Sequence, residues 1–253
     1  MRAENSFLPV RGVGETRERR LWEAGVTHWD EFAGQAVGDT LADRIEAFIG
    51  TARERLAAGD PAFFAEAFPG TSHWRLYENF REGACFLDIE TTGLSKHRDE
   101  VTVVGLRRGG ETRTLVRGRD LDRERLRRAL ADADLLVTYN GRRFDVPFLE
   151  ASFGLEIDRP HVDLMDPCRR LGLTGGLKGV EAALGVERDR PDLSGEDAVR
   201  LWRRHRRGED GALETLLAYN REDVDNLVAV MDAVADRLHR SVFAPASPDG
   251  TGR

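Results

Sequence analysis

The sequence has no run of apolar residues long enough to cross a membrane. It opens on Met-Arg-Ala-Glu-Asn-Ser rather than on the apolar stretch of a secretion signal. These absences lead us to expect a cytoplasmic protein with no membrane partner. Cysteine is scarce, and Cys85 and Cys168 lack Cys-x-x-Cys spacing, which argues against a zinc site or a disulfide framework. Two buried thiols are the plainer reading. Lysine is equally scarce, with only Lys96 and Lys178 among 38 basic residues. Arginine suits bidentate phosphate contacts, although a GC-rich coding sequence produces the same bias. An excess of positive charge is also missing: the 253 residues carry a formal net charge of -7, so any contact with nucleic acid has to be local.

What is present suffices for a packed core, since 40% of residues are hydrophobic, and the length allows one ordinary domain plus a smaller module. The first eighty residues read as a helical module, in which Leu41, Ile45, Phe48, Ile49, Ala52 and Leu56 recur at helical spacing until Gly59-Asp60-Pro61. A second pattern starts at Ala84. Strands are expected from there to Glu90, over Val101 to Leu106, over Thr112 to Val116 and over Leu135 to Tyr139. Arg108-Gly109-Gly110-Glu111 is a hairpin connection, and Leu121 to Ala131 an arginine-rich amphipathic helix. A last long helix is expected from about Gly211 to Leu238, with an apolar stripe that includes Leu216, Leu227 and Met231. The order predicts an α/β domain over 81–240, a mixed sheet flanked by helices, followed by a disordered polar tail over 241–253.

Three elements carry candidate chemistry. In Phe86-Leu87-Asp88-Ile89-Glu90-Thr91-Thr92-Gly93-Leu94 an apolar strand presents two acids two residues apart, so both point to one face. Such a strand has little reason to hold paired carboxylates unless cations compensate them, though Asp-x-Glu alone is a common chance pair. In the second element, Leu136 to Leu149, a strand runs into a glycine turn and Asp145 stands at the helix start, where a carboxylate also serves as a cap. In the third, Tyr219-Asn220-Arg221-Glu222-Asp223, the phenol and Asp223 share a helix face with Leu216 and Leu227. Glu222 and Asp225 fall at other angles and read as solvated. A surface hydrogen bond is the blander account of the Tyr-Asp pair.

Taken in this order, the three elements resemble the motifs of the tyrosine branch of the DEDD exonuclease superfamily. The histidine branch would place His where this chain has Ala218. The stretch Leu177-Lys178-Gly179-Val180-Glu181 makes the chain similar, more closely, to the YprB-type ribonuclease-H-like family. The resemblance covers about Ala84 to Asp232. It implies a ribonuclease-H-like fold and a 3'-5' exonuclease that hydrolyses phosphodiester bonds of DNA or RNA, most readily at a single-stranded 3' end. Asp88, Glu90, Asp145 and Asp223 would hold two Mg²⁺ or Mn²⁺ ions, and hard oxygen donors suit those metals. Asp88 would bridge the ions, Glu90 and Asp223 would complete the shell of the first ion, Asp145 would support the second ion, and Tyr219 would orient the attacking water. Thr91, Gly93, Leu94 and Asn140 would contact the terminal nucleotide. Lys178 reads equally as a phosphate ligand and as a surface residue, and Asp163 and Asp166 read as caps. A structure-specific endonuclease of the same fold and a catalytically silent nucleic-acid-binding adaptor are the alternatives.

Near the start, Val10 to Val26 resembles the hairpin and second helix of a helix-hairpin-helix module, which holds a phosphate on glycine-rich backbone N–H groups. Too few residues precede Gly12 for a full first helix. The alternative is a packing role for Trp22, Trp29 and Phe32.

Overall fold

The computed structural model describes residues 1–34 and 36–246. The chain divides into two units. The first comprises Met1–Arg81, Pro160–Val162 and the chain from Asp232, and the second Glu82–Arg159 and Asp163–Met231.

The first unit contains α1 (Glu15–Glu23), α2 (Asp39–Ala57), α3 (Pro61–Ala67) and α4 (Tyr77–Phe80). Asp60 caps α3 through the N–H of Phe63, with Pro61 at the first helical position where its missing N–H costs nothing. Trp22 and Trp29 are buried within this unit, and their indole N–H groups donate to the carbonyls of Asn5 and Ser6. Beside them Arg75 and Glu18 form an ion pair at 2.9 Å that is closed to solvent. Ahead of Gly12 the chain makes a short 3-10 turn, Ala3–Asn5, and no full first helix.

The first residues of the tail expected over 241–253 are ordered. Ser241 to Ala246 continue in helical turns, and Phe243 is fully buried with its ring edge-on to Trp22, 5.0 Å away. This aromatic anchor outweighs the polar composition around it. The rest of the expected tail, 247–253, lies outside the described residues.

The second unit holds the first four strands of a five-stranded sheet of order β3-β2-β1-β4-β5, and the division between the units falls within the fifth. The strands are β1 (Ala84–Thr91), β2 (Val101–Arg108), β3 (Glu111–Val116), β4 (Leu135–Thr138) and β5 (His161–Asp163). β1 pairs antiparallel with β2 and parallel with β4, so the sheet is mixed, as the order of elements predicts. Gly109 and Gly110 turn the β2–β3 hairpin with φ of 55° and 82°, the left-handed pair that a two-residue connection demands. The helices are α5 (Arg123–Ala131), α6 (Asp145–Phe153), α7 (Met165–Arg170), α8 (Gly176–Leu184), α9 (Gly195–Arg206) and α10 (Ala212–Leu238), the last running on into the first unit.

Alternation along the strands divides the core into two layers. Leu87 and Ile89 of β1 pack with Leu126 and Leu130 of α5 and with Phe148 and Leu149 of α6. On the other side, Val103 and Val116 pack with Leu201 and Trp202 of α9 and with Leu213, Leu216 and Tyr219 of α10. Asp88 and Glu90, out of phase with Leu87 and Ile89, therefore belong to the layer that faces α10. Among the described residues, no helix is long and apolar enough to cross a membrane.

Candidate active site

β1 brings Asp88 and Glu90 to one face, and α10 brings Asp223 opposite them. One carboxylate oxygen from each of the three lies within 4.8 Å of the others. Glu90 and Asp223 are 7% and 6% exposed, whereas Asp88 is half-buried. Such proximity raises the cost of ionisation. Burial, followed by the charges of Asp223, Glu90 and Asp145, holds the Asp88 carboxyl well above the usual range. Burial and then Asp223 do the same to Glu90. Burial also pushes Asp223 up to about 6, against the pull of Arg188.

Asp145 is the first residue of α6 and is buried, but it is not one of the three acids whose oxygens converge. Its Oδ1 accepts the N–H of Ile89 at 3.2 Å, which ties the start of α6 to β1 next to the cluster. Burial pushes this carboxyl up to about 7. Tyr219 lies one turn before Asp223 on α10 and is 7% exposed. Burial, then the charges of Asp223, Glu90 and Asp88, raises its phenol above the ordinary value. It therefore stays protonated at neutral pH.

The acids open into a cleft of about 560 Å³. Thr91, Gly93 and Leu94 line it together with Phe144 and Tyr219 and with Gly195, Glu196, Val199, Arg200 and Arg203 of α9. Leu94 stands 86% exposed at this cleft. The loop behind it is held by Asp99, whose carboxylate accepts the Ser95 N–H at 2.8 Å and fills the space where a Cβ on Gly93 would sit. Asn140 is placed differently and does not line the cleft. It adopts φ of 63°, its N–H donates to Asp163 at 2.7 Å, and its carbonyl receives the N–H groups of Arg143 and Phe144. Asp163 also takes the N–H of Arg142, so its main task is to fix this turn, with a bond to Met165 N–H as its link to the next helix.

Lys178 is half-buried, its Nζ bonded to the carbonyls of Pro191 and Leu193 and 5.8 Å from the centre of the Tyr219 ring. Glu222 is not solvated as its helical angle suggests. Its side chain is 11% exposed and accepts the N–H of Asp189, because the loop after α8 folds over it. Asp225 pairs with Arg107 at 2.9 Å.

Asn220 was missed by motif reading. It is fully buried and donates from Nδ2 to Oδ2 of Asp88 at 2.9 Å. Gly105 makes this possible: it faces Asp88 across the β1–β2 pair, and a Cβ there would lie 2.3 Å from Asn220 Oδ1. An amide on the apolar stripe of α10, one residue after Tyr219, was the only signal in the sequence.

A profile of the RNase_H superfamily, RNase_H_2, matches residues 85–235. No curated protein matches. Among solved structures, one described as the apo form of the nuclease is 25% identical with a TM-score of 0.49, over 64% of this chain and 76% of that one. The family B DNA polymerase of Pyrobaculum calidifontis is 18% identical with a TM-score of 0.48, over 67% of this chain but only 26% of the polymerase. Brucella melitensis NrnC with bound Mg²⁺ is 20% identical with a TM-score of 0.43, over 67% and 83%. The profile spans more than half of the chain and coincides with the mixed sheet and its helices, and so the chain belongs to the RNase H superfamily, with an RNase H-like nuclease fold.

Proposed function

We propose that this chain is a metal-dependent 3'-5' exonuclease of the tyrosine branch of the DEDD superfamily, acting in the cytoplasm on single-stranded ends of DNA or RNA. The observation that carries the proposal is the convergence of Asp88, Glu90 and Asp223 within 4.8 Å, with Tyr219 one helical turn from Asp223. Three carboxylates that share one buried site repel each other and offer only hard oxygen donors, which is the donor set that suits Mg²⁺ or Mn²⁺. Divalent ions held there, with Asp145 as the added ligand for a second, would activate a water and offset the charge that develops on the phosphate.

The chain's own groups supply the positioning. Asn220 fixes the Asp88 carboxylate through a 2.9 Å bond, so that acid is oriented before any ion arrives. The Tyr219 phenol, kept protonated by burial and by the acids, holds the attacking water in line and does not remove its proton. Thr91, Gly93 and Leu94 take the sugar and base of the last nucleotide, and Asn140 acts through the turn that starts α6. Arg203 gives the cleft a local positive charge of the kind that a chain of net charge -7 needs in order to receive a phosphate backbone, while Arg200 beside it is paired with Asp197 at 2.9 Å and Glu196 at 3.5 Å.

The test is incubation of the purified protein with 5'-labelled and 3'-labelled single-stranded DNA and RNA in Mn²⁺. A ladder shortening from the 3' end is expected. Internal cuts would replace this reading with the endonuclease, and binding without cleavage with the adaptor.

A further inference from the structure

The loop between α8 and α9 carries Arg188, a buried cation to which the proposed chemistry gives no task. Its side chain is 6% exposed. Nη1 donates to both oxygens of Glu181, at 2.9 and 2.7 Å, and Nη2 donates to Oδ1 of Asp223. Glu181, from α8, is itself 1% exposed and receives a further bond from Nδ2 of Asn226 at 3.1 Å. The guanidinium also lies 5.7 Å from the centre of the Tyr219 ring and 3.9 Å from Glu222. Its Nε is buried with no hydrogen-bond partner.

An arginine placed this deep, with one donor unused, is an expensive way to hold a loop, because well-packed apolar side chains stabilise such a position at least as well. Its position beside the acids gives the charge a use. Asp88, Glu90 and Asp223 cannot all ionise at close range without a positive charge nearby. Of the other cations near the cleft, Lys178 has its Nζ spent on two carbonyls and Arg200 is paired with Glu196 and Asp197. Only a planar fork can grip Glu181 with one nitrogen and reach Asp223 with the other. The grip on Glu181 fixes where the second nitrogen points. Arg188 engages Oδ1 of Asp223, a carboxylate that the Tyr219 hydroxyl also hydrogen-bonds.

We propose that Arg188 is a built-in counter-cation: anchored on Glu181, it positions the Asp223 carboxylate and offsets the charge of the acidic cluster when no divalent ion is bound. The part that concerns ions rests on the metal-site reading given above; the pairing with Asp223 does not. An ion and Arg188 then neutralise the same carboxylate. A protein without Arg188 has more to gain from the ion.

The experiment is thermal unfolding of the full chain in EDTA and in Mn²⁺ for the wild type, Arg188→Gln, Asp223→Asn and the double variant. In EDTA at pH 8, Asp223→Asn is expected to raise Tm more in the Arg188→Gln background than in the wild-type background, since the charge of the acid is offset only while its cation is present. The same shift in both backgrounds would overturn the pairing. With Mn²⁺, the rise in Tm is expected to be greater for Arg188→Gln than for the wild type by about 3 °C or more. An equal rise would overturn the counter-cation role. If Arg188→Gln does not fold, Arg188→Lys takes its place: a retained charge keeps the Mn²⁺ response near the wild-type value, and a response as large as that expected for Gln would mean that the fork's packing, not its charge, matters. A wild type whose Tm ignores Mn²⁺ would remove the metal-site reading and the ion half of this inference together, while the cycle in EDTA still decides the pairing.

Discussion

At the scale of single residues, the site is a problem of charge held in place. Tyr219 tests the positioning part. Tyr219→Phe keeps the ring that packs with Leu213 and Leu216 and removes only the hydroxyl, so single-turnover cleavage should slow by about 10- to 100-fold, on the order of 1.4 to 2.7 kcal/mol in barrier. Mn²⁺ affinity should hardly change. An unchanged rate would mean that another group orients the water. The acids themselves make a pH prediction. Burial raises Asp145 to about 7 and Asp223 to about 6, so between roughly pH 4 and 7 the folded metal-free protein keeps protons that the unfolded chain has released. The stability these groups contribute is full below about pH 4 and is lost as pH rises through their folded values. Tm in EDTA should therefore fall from pH 5 to pH 8, less steeply in Asp145→Asn and less steeply again with Mn²⁺. A Tm that rises over this range, with the same slope in Asp145→Asn, would contradict the burial of that charge. Period-2 and one-turn spacings showed which of these side chains share a face, and the resemblance to the DEDD motifs is what singled out the four acids and the tyrosine. Asn220 and Arg188 were not legible in the sequence, since each acts on a partner far away in the chain.

At the scale of elements, the decisive contact is α10 against β2. Gly105 lets the helix approach: a Cβ there would meet Asn220 Oδ1 at 2.3 Å and Val224 Cγ2 at 2.6 Å. Gly105→Ala should cost about 1–3 kcal/mol in stability through overpacking, and should reduce cleavage further than the stability loss explains, because Asp88 loses its Asn220 partner. Gly50→Ala is the control. It lies inside α2 with nothing within 4 Å of its added Cβ, and should raise stability by about 0.5–1 kcal/mol. Urea denaturation of both variants checks this, and a neutral Gly105→Ala would mean that the helix is not packed as described. Element boundaries were mostly readable, because the strands alternate and Gly59, Asp60 and Pro61 mark a clear break. β5 was not, since three residues carry no periodic signal. The turn of Asn140 was not either, since its left-handed φ depends on the Asp163 carboxylate more than twenty residues later.

At the scale of the whole molecule, composition excluded more than it identified. A net charge of -7 ruled out a general phosphate-coating surface, and the cleft shows how local the positive charge can be, with Arg203 in its lining and Arg200 paired with Glu196 and Asp197. The helical start and the mixed sheet were visible as a change of periodicity near Ala84. The return of the chain from Asp232 into the first unit was not, because burial of Phe243 beside Trp22 joins residues at opposite ends of the sequence.

The central claim is that the acidic cluster of β1 and α10 is a catalytic metal site, and Asp88→Ala measured in one experiment for rate and stability tests it most directly. The account predicts that 3'-end cleavage in Mn²⁺ falls by at least about 100-fold, about 2.7 kcal/mol in barrier, while Tm in EDTA is unchanged or higher, since one acid has left a repelling cluster. Cleavage that persists at the wild-type rate in Asp88→Ala, or activity lost only together with a large fall in Tm, would contradict it.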